Sequence, residues 1–172
     1  MSSSSTGGKS SSQYSTELAF ALTLADRADA ISLSRYQALD LEITTKPDNS
    51  PVTDADKAVE RAIIDAIAAK YPSDGVVGEE FGTSGSKDRY WVIDPIDGTK
   101  NFLRGVPTWA TLIALVENEQ VVTSVVSSPA LYRRWYATAG GGAFVVEGNS
   151  TARKLSVSKV SAISDASIAY SD

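Results

Sequence analysis

The apolar residues of this chain change their spacing part-way along the sequence, and this change limits the folds open to it. Over residues 14–39 and again from a cap at Thr53 or Asp54 to about residue 71, they recur every three or four positions, which predicts two amphipathic helices. From residue 109 onwards they fall in short alternating runs, which predicts strands. Two helices followed by an antiparallel meander indicate a layered α+β fold, with the helices packed on a largely antiparallel sheet.

The predicted helices and strands each carry a recognisable apolar pattern. The buried stripes of the two helices are predicted to be Leu18, Ala21, Leu22, Ala25, Ala28 and Ile31, then Val59, Ile63, Ile64, Ile67 and Ala68. Strands are predicted at residues 41–45, 75–77, 90–93, 109–116, 121–127, 133–139, 143–146, 154–157 and 166–170, with 109–116 and 121–127 joined as a hairpin. We expect the aromatic residues Trp91, Trp109, Trp135 and Phe144 to fill the core.

Length and charge set the class of protein. The chain has 172 residues, of which 42% are hydrophobic and 22% charged, as in ordinary soluble globular domains. Its formal net charge of −5 gives no reason to expect a nucleic acid or an anionic membrane as partner. Residues 1–13 are rich in Ser and Gly and are expected to form a disordered arm, leaving residues 14–172 as one domain of a cytoplasmic protein.

The sequence contains no cysteine and no histidine. Thiolate metal sites, cysteine nucleophiles and Ser-His-Asp triads within this chain are therefore excluded. Any metal ion must be held by oxygen ligands, which favours a hard cation such as Mg²⁺, Mn²⁺ or Ca²⁺ over structural zinc.

The segment from Asp94 to Thr99 holds the most specific chemical pattern, Asp-Pro-Ile-Asp-Gly-Thr. It follows the apolar run at residues 91–93, and Pro95 favours a turn there, which would fold Asp94 and Asp97 toward one point. Two carboxylates held that close need a cation, while Gly98 and Thr99 offer backbone N–H groups to an anion. The pattern thus places a metal beside a phosphate, although the same residues in isolation also suit a plain β-turn.

Two more acidic groups lie upstream of this segment. Glu79 and Glu80 follow the predicted strand 75–77, where they are either metal ligands or a solvated turn. Asp54 is assigned to helix capping, whereas Asp56 suits either a cap or a site residue. Lys46 and Lys100 have the charge to steady a phosphate but also suit an exposed surface.

Taken together, these segments resemble the inositol monophosphatase superfamily. The resemblance rests on Pro-Val-Thr-Asp-Ala-Asp-Lys at 51–57, Gly-Glu-Glu at 78–80 and Asp-Pro-Ile-Asp-Gly-Thr-Lys-Asn-Phe at 94–102, in the family's order and spacing. The continuation to Pro107 is similar to the branch that hydrolyses histidinol phosphate. The resemblance implies a layered sugar-phosphatase fold of which this chain covers the N-terminal part, with the C-terminal part missing.

The resemblance also implies roles for single residues. Carboxylates of Glu79 and Asp94 and the carbonyl of Ile96 would bind a first ion, and Asp94 would bridge to a second ion held by Asp97. Asp56 and Thr99 would orient and deprotonate the attacking water, and the amides of Gly98 and Thr99 would cradle the phosphate. Glu80 and Lys46 are expected to lie just behind these groups and support them.

The chemistry expected from the resemblance is hydrolysis of a phosphate monoester with two or three Mg²⁺ ions, or with Mn²⁺ in their place. Histidinol phosphate of histidine biosynthesis is the favoured small phosphorylated substrate, inositol 1-phosphate is the alternative, and a homodimer is expected. The family's Trp-Asp motif, whose Asp completes the second ion site, does not occur here. A different class of protein therefore stays open, a non-catalytic fragment that acts only by association.

Overall fold

A computed structural model describes residues 13–169, so the predicted arm lies outside the described residues except for its last position. Three helices occur within this range: α1 (Ser15–Arg35), α2 (Asp54–Lys70) and the short α3 (Thr99–Leu103). The strands are β1 (Ile43–Thr45), β2 (Pro51–Thr53), β3 (Gly75–Gly78), β4 (Thr83–Ser84), β5 (Arg89–Asp97), β6 (Ala110–Glu117), β7 (Gln120–Ser128), β8 (Arg133–Thr138), β9 (Gly142–Glu147) and β10 (Arg153–Leu155).

Eight of these strands form one sheet in the order β10-β9-β8-β7-β6-β5-β3-β4. Only the β3–β5 pair is parallel within the described sheet, and β1 and β2 form a separate antiparallel pair. The α1 and α2 helices pack against each other and against the sheet at β5, β6 and β7. The mixed α and β architecture with a mostly antiparallel sheet confirms the predicted fold class.

The main core lies between the two long helices and the central strands. Trp91 on β5 is fully buried, and its ring packs edge-on against Phe20 of α1 at 5.6 Å between centroids. The ring of Tyr71, just past α2, lies 5.9 Å from Trp91. Burial of such large aromatic groups supplies much of the free energy of folding in a domain of this size.

Helix α2 begins where the sequence predicts. Thr53 is its N-cap, and a capping box joins the Thr53 hydroxyl to the Asp56 backbone N–H and the Asp56 carboxylate to the Thr53 backbone N–H. The predicted buried stripe is wrong at Ala68, which is exposed, because Ala66, about 200° away around the helix, lies on the buried face with Ile63 and Ile67. Helix α1 ends at Arg35 rather than residue 39, because Tyr36 is already extended and Gln37 has a positive φ of 62°.

The β6–β7 hairpin is confirmed, and its two turn residues both have positive φ, as a type I′ turn requires. The strand predicted at 166–170 is wrong over its described part: residues 166–169 form no strand and are exposed. Trp135 and Phe144 are only half-buried, so the predicted core was too large. On β8 it is Arg134 that faces α1, through Asp26 and Asp29, so its neighbour Trp135 points to the other face of the sheet, and β9 lies one strand further out. Within residues 13–169, no helix has both the length and the apolar character needed to cross a bilayer.

Candidate active site

The two aspartates of the central motif are brought to one side of the sheet by a β-bulge. Asp94 pairs with Leu112 of β6 and Asp97 pairs with Ala110, so three steps along β5 face only two along β6. One extra residue resets the alternation of side chains, so Asp94 and Asp97 share a face. The predicted turn at Pro95 is therefore wrong, since β5 continues through Asp97 and the Pro95 carbonyl accepts a hydrogen bond from the Thr111 hydroxyl at 2.8 Å.

Asp56 connects the start of α2 to the start of α3. Its Oδ2 accepts hydrogen bonds from the backbone N–H and the hydroxyl of Thr53, at 2.8 and 2.5 Å. Its Oδ1 lies 3.3 Å from the hydroxyl of Thr99, which also lies 3.0 Å from the carbonyl oxygen of Ile96. Burial raises the pKa of Asp56, although the hydrogen bonds from Thr53 oppose this shift. The structure thus brings Asp56, Thr99 and Ile96 together through the Thr99 hydroxyl.

Asp94 is the most perturbed carboxylate of this region. Burial, and after it the negative charge and hydrogen bonding of Glu79, raise its pKa to about 8, with Asp97 and Asp56 adding to the shift. Its Oδ1 is buried and has no hydrogen-bond partner. An acceptor oxygen left unpaired in a buried position is costly unless something outside the protein chain satisfies it.

Lys46 lies against the third acidic group. Its ammonium is 2.6 Å from Glu79 Oε1 and 2.6 Å from Glu80 Oε1. Partial burial would lower the pKa of Lys46, but the hydrogen bonds to these two glutamates raise it above its ordinary value. The Glu79 side chain remains 43% exposed, whereas that of Glu80 is 5% exposed. Glu79 is therefore the glutamate that an incoming ligand can reach.

A small cleft opens beside these carboxylates. It has a volume of about 210 Å³ and is lined by Ser50, Pro51, Glu79, Gly98, Thr99, Lys100 and Asn101. Gly98 has a φ of 90°, and a Cβ there would lie 3.1 Å from the Thr108 carbonyl oxygen, so glycine suits this position. Its carbonyl accepts hydrogen bonds from the N–H groups of Asn101 and Phe102. The N–H of Thr99, at the first position of α3, has no carbonyl partner within the helix.

One buried acidic residue escaped the sequence prediction. Glu60 of α2 is fully buried and accepts hydrogen bonds from the backbone N–H groups of Glu80 and Phe81, at 2.8 and 2.9 Å. The signal available in the sequence was a glutamate adjoining the apolar stripe of α2, four residues after Asp56.

The residues present suit a hard divalent cation. Their side-chain donors are all oxygens, and Asp94 offers a buried, unpartnered one. No set of three or more carboxylates among residues 13–169 is assembled tightly enough to hold an ion as it stands. The carboxylate of Glu79 instead has the Lys46 ammonium as its counter-charge.

Residues 13–171 match the inositol monophosphatase family. The chain belongs to this family. It is 53% identical to the histidinol-phosphatase of Streptomyces coelicolor over 162 residues, which is 92% of this chain and 61% of that protein. It is also 53% identical to the histidinol-phosphatase of Mycobacterium tuberculosis, covering 90% of this chain and 60% of that protein.

A solved structure of this family is similar in fold as well. The inositol monophosphatase of Thermotoga maritima superposes with a TM-score of 0.75 at 34% identity, over 84% of this chain and 54% of that one. The chain therefore spans little more than half the length of the relatives it matches.

Proposed function

We propose that this chain carries the metal and phosphate site of a Mg²⁺-dependent phosphate monoester hydrolase that acts on histidinol phosphate. Two observations carry this proposal: the Thr99 hydroxyl lies against the Asp56 carboxylate, and Asp94, close enough to feel the charge of Asp56, is a buried carboxylate with one unsatisfied oxygen. The 53% identity to two proteins named histidinol-phosphatase supports the choice of substrate.

The reaction sets two requirements that these residues meet. A phosphate monoester dianion repels an incoming hydroxide, so its negative charge must be neutralised and the water must be held in line. The carboxylates of Glu79, Asp94 and Asp97 and the Ile96 carbonyl would hold Mg²⁺. When bound there, the ion supplies charge neutralisation and makes a water more acidic.

Asp56 is proposed as the base that accepts the proton of the attacking water. The two hydrogen bonds from Thr53 fix its Oδ2 and leave Oδ1 directed at the Thr99 hydroxyl. Burial makes this carboxylate a better proton acceptor by raising its pKa, as general-base catalysis requires. With no histidine in the chain, a carboxylate is the side chain best suited to this step.

The phosphate itself is proposed to enter the cleft at the start of α3. The backbone amides of Gly98 and Thr99 would donate hydrogen bonds to its oxygens, as amides at such turns do for other anions. Lys100 lines the same cleft and carries a positive charge. Glu80 and Lys46 would lie behind the ligands, where the Lys46 ammonium balances the charge of Glu79 until an ion replaces it and then stays with Glu80.

Two other functions are distinguished by the same experiment. Inositol 1-phosphate is the alternative substrate, favoured by the similarity to the Thermotoga inositol monophosphatase. A non-catalytic protein acting by association is the alternative class, and it predicts no turnover at saturating Mg²⁺. The homodimer stays a prediction, to be checked by light scattering.

The test measures phosphate release by the purified chain from both substrates, with Mg²⁺ and with EDTA. We expect faster release from histidinol phosphate, loss with EDTA, and loss in Asp94→Asn. Asp88→Asn removes one exposed carboxylate outside the site and serves as the matched control. Preference for inositol 1-phosphate would reject the proposed substrate, and turnover that survives EDTA and Asp94→Asn would reject the proposed site.

A further inference from the structure

Glu60 is the only fully buried acidic residue among residues 13–169. It lies in the middle of α2 and forms no ion pair within that part of the chain. Removing a carboxylate from water is costly unless strong hydrogen bonds compensate for the loss. A residue that served only to fill the core would more suitably be apolar. The contacts of Glu60 therefore need a reason.

Those contacts all go to one turn. The two oxygens of Glu60 accept the consecutive backbone N–H groups of Glu80 and Phe81. These amides belong to residues 78–82, which we call the Glu79 turn, closed by a hydrogen bond from the Gly78 N–H to the Gly82 carbonyl at 2.9 Å. Hydrogen bonds from backbone N–H groups to an ionised carboxylate are shorter and stronger than those to a neutral acceptor.

The approach of the turn to Glu60 is close enough to require glycine. A Cβ built at Gly78 would lie only 2.0 Å from Glu60 Oε1, so any other residue there would push the turn and the carboxylate apart. Next along α2, the guanidinium of Arg61 lies 4.0 Å from the centre of the Phe81 ring. The Glu79 turn is thus held on α2 through Glu80 and Phe81, and it approaches α2 closely at Gly78.

Glu79 lies between Gly78 and Glu80 in this turn, and its side chain makes its contacts on the solvent side, toward Lys46 and Asp94. Glu60 also lies four residues after Asp56, on the same side of α2. One rigid helix therefore presents the Asp56 carboxylate at its first turn and anchors the Glu79 turn from its second.

We propose that Glu60 is a positioning residue for the metal ligand Glu79. It sets the backbone of the Glu79 turn, so that the Glu79 carboxylate is held close to Asp94 before an ion arrives. This inference rests on the proposed metal site. Groups that orient metal ligands typically change metal affinity by about 10- to 100-fold when they are lost.

The test measures Mn²⁺ affinity by electron paramagnetic resonance of the free ion, and amide hydrogen exchange of the metal-free chain. In Glu60→Gln, which keeps one of the two acceptors, we expect faster exchange at Glu80 and Phe81 and about tenfold weaker Mn²⁺ binding. Gly78→Ala disturbs the same contact from the other side and leaves Glu60 intact. We expect it to weaken Mn²⁺ binding as well.

Two control variants separate positioning from charge and from general stability. Asp65→Asn removes one negative charge from an exposed position of the same helix, and Val125→Ala weakens the core on β7, far along the sheet from the Glu79 turn. Both should bind Mn²⁺ as tightly as the parent chain, even where Val125→Ala lowers the melting temperature as much as Glu60→Gln does.

The results that would overturn the proposal are distinct. Mn²⁺ affinity within twofold of the parent in both Glu60→Gln and Gly78→Ala would overturn the positioning role. Equal weakening in Val125→Ala would also overturn it, by assigning the effect to stability. A parent chain that takes up no Mn²⁺ would instead reject the metal site on which the inference rests. The exchange rates at Glu80 and Phe81 would then still show whether Glu60 holds the turn, so the two failures can be told apart.

Discussion

Release of a proton when Mg²⁺ binds is the prediction that depends most directly on the environment of Asp94. In the metal-free chain the pKa of this carboxyl is about 8, because it is buried and faces Glu79, Asp97 and Asp56. A carboxylate must be ionised to bind a cation, so an ion entering this site displaces the proton. Proton and Mg²⁺ therefore compete for the same oxygen atoms.

The size of the effect follows from the pKa. At pH 7 a group with a pKa of 8 is about 90% protonated, so binding should release about 0.9 proton per ion. At pH 9 the same group is about 10% protonated, and release should fall to about 0.1 proton. Below pH 7, the apparent dissociation constant for Mg²⁺ should rise nearly tenfold for each unit of pH.

Isothermal titration calorimetry in two buffers of different ionisation enthalpy counts the released protons directly. Asp88→Asn, which alters an exposed carboxylate outside the site, should leave the count unchanged. Asp94→Asn should abolish both the binding heat and the release. Tight Mg²⁺ binding at pH 7 with no proton release, and with an affinity independent of pH between 6 and 9, would refute this description of Asp94.

Three further predictions concern the same group of residues. Between the unfolded pKa near 3.8 and the folded pKa of about 8, the metal-free folded chain keeps the Asp94 proton that the unfolded chain loses. Denaturant unfolding should therefore show stability falling as the pH rises through this range, and a flat profile would contradict it. Thr99→Val leaves Asp56 Oδ1 without its hydroxyl neighbour and should lower phosphate release more than Thr99→Ser, at a cost of about 1 kcal/mol in stability by urea titration. Lys46→Gln removes the ammonium that contacts Glu79 and should tighten Mn²⁺ binding several-fold in calorimetry, whereas weaker binding would show that Lys46 supports the site.

The fold could be predicted in outline because its elements carry strong local signals. The start of α2 is marked by a capping box at Thr53, and the β6–β7 hairpin by two alternating apolar runs a few residues apart. The C-terminal end of α1 and the exposure of Trp135 could not be predicted from such local signals. They depend on which parts of the sheet the helices cover, which is a property of packing between distant segments.

The central motif shows a similar division. That Asp94 and Asp97 must share a side follows from the chemistry expected of them, but the sequence pointed to a turn, because Pro95 lacks the N–H of a regular ladder. The structure achieves the same result with a bulge inside β5, which the register of β6 alone reveals. Glu60 was missed because its position beside the apolar stripe of α2 is only a weak signal, and its partners are backbone N–H groups that the sequence does not mark.

The most direct test of the metal site is an anomalous difference map from crystals of this chain grown with Mn²⁺. We expect a peak in contact with the carboxylates of Glu79 and Asp94 and with the carbonyl oxygen of Ile96, with the Lys46 ammonium moved away from Glu79. A map with no peak in this region, or with Mn²⁺ bound elsewhere while Lys46 still contacts Glu79, would contradict the proposed site.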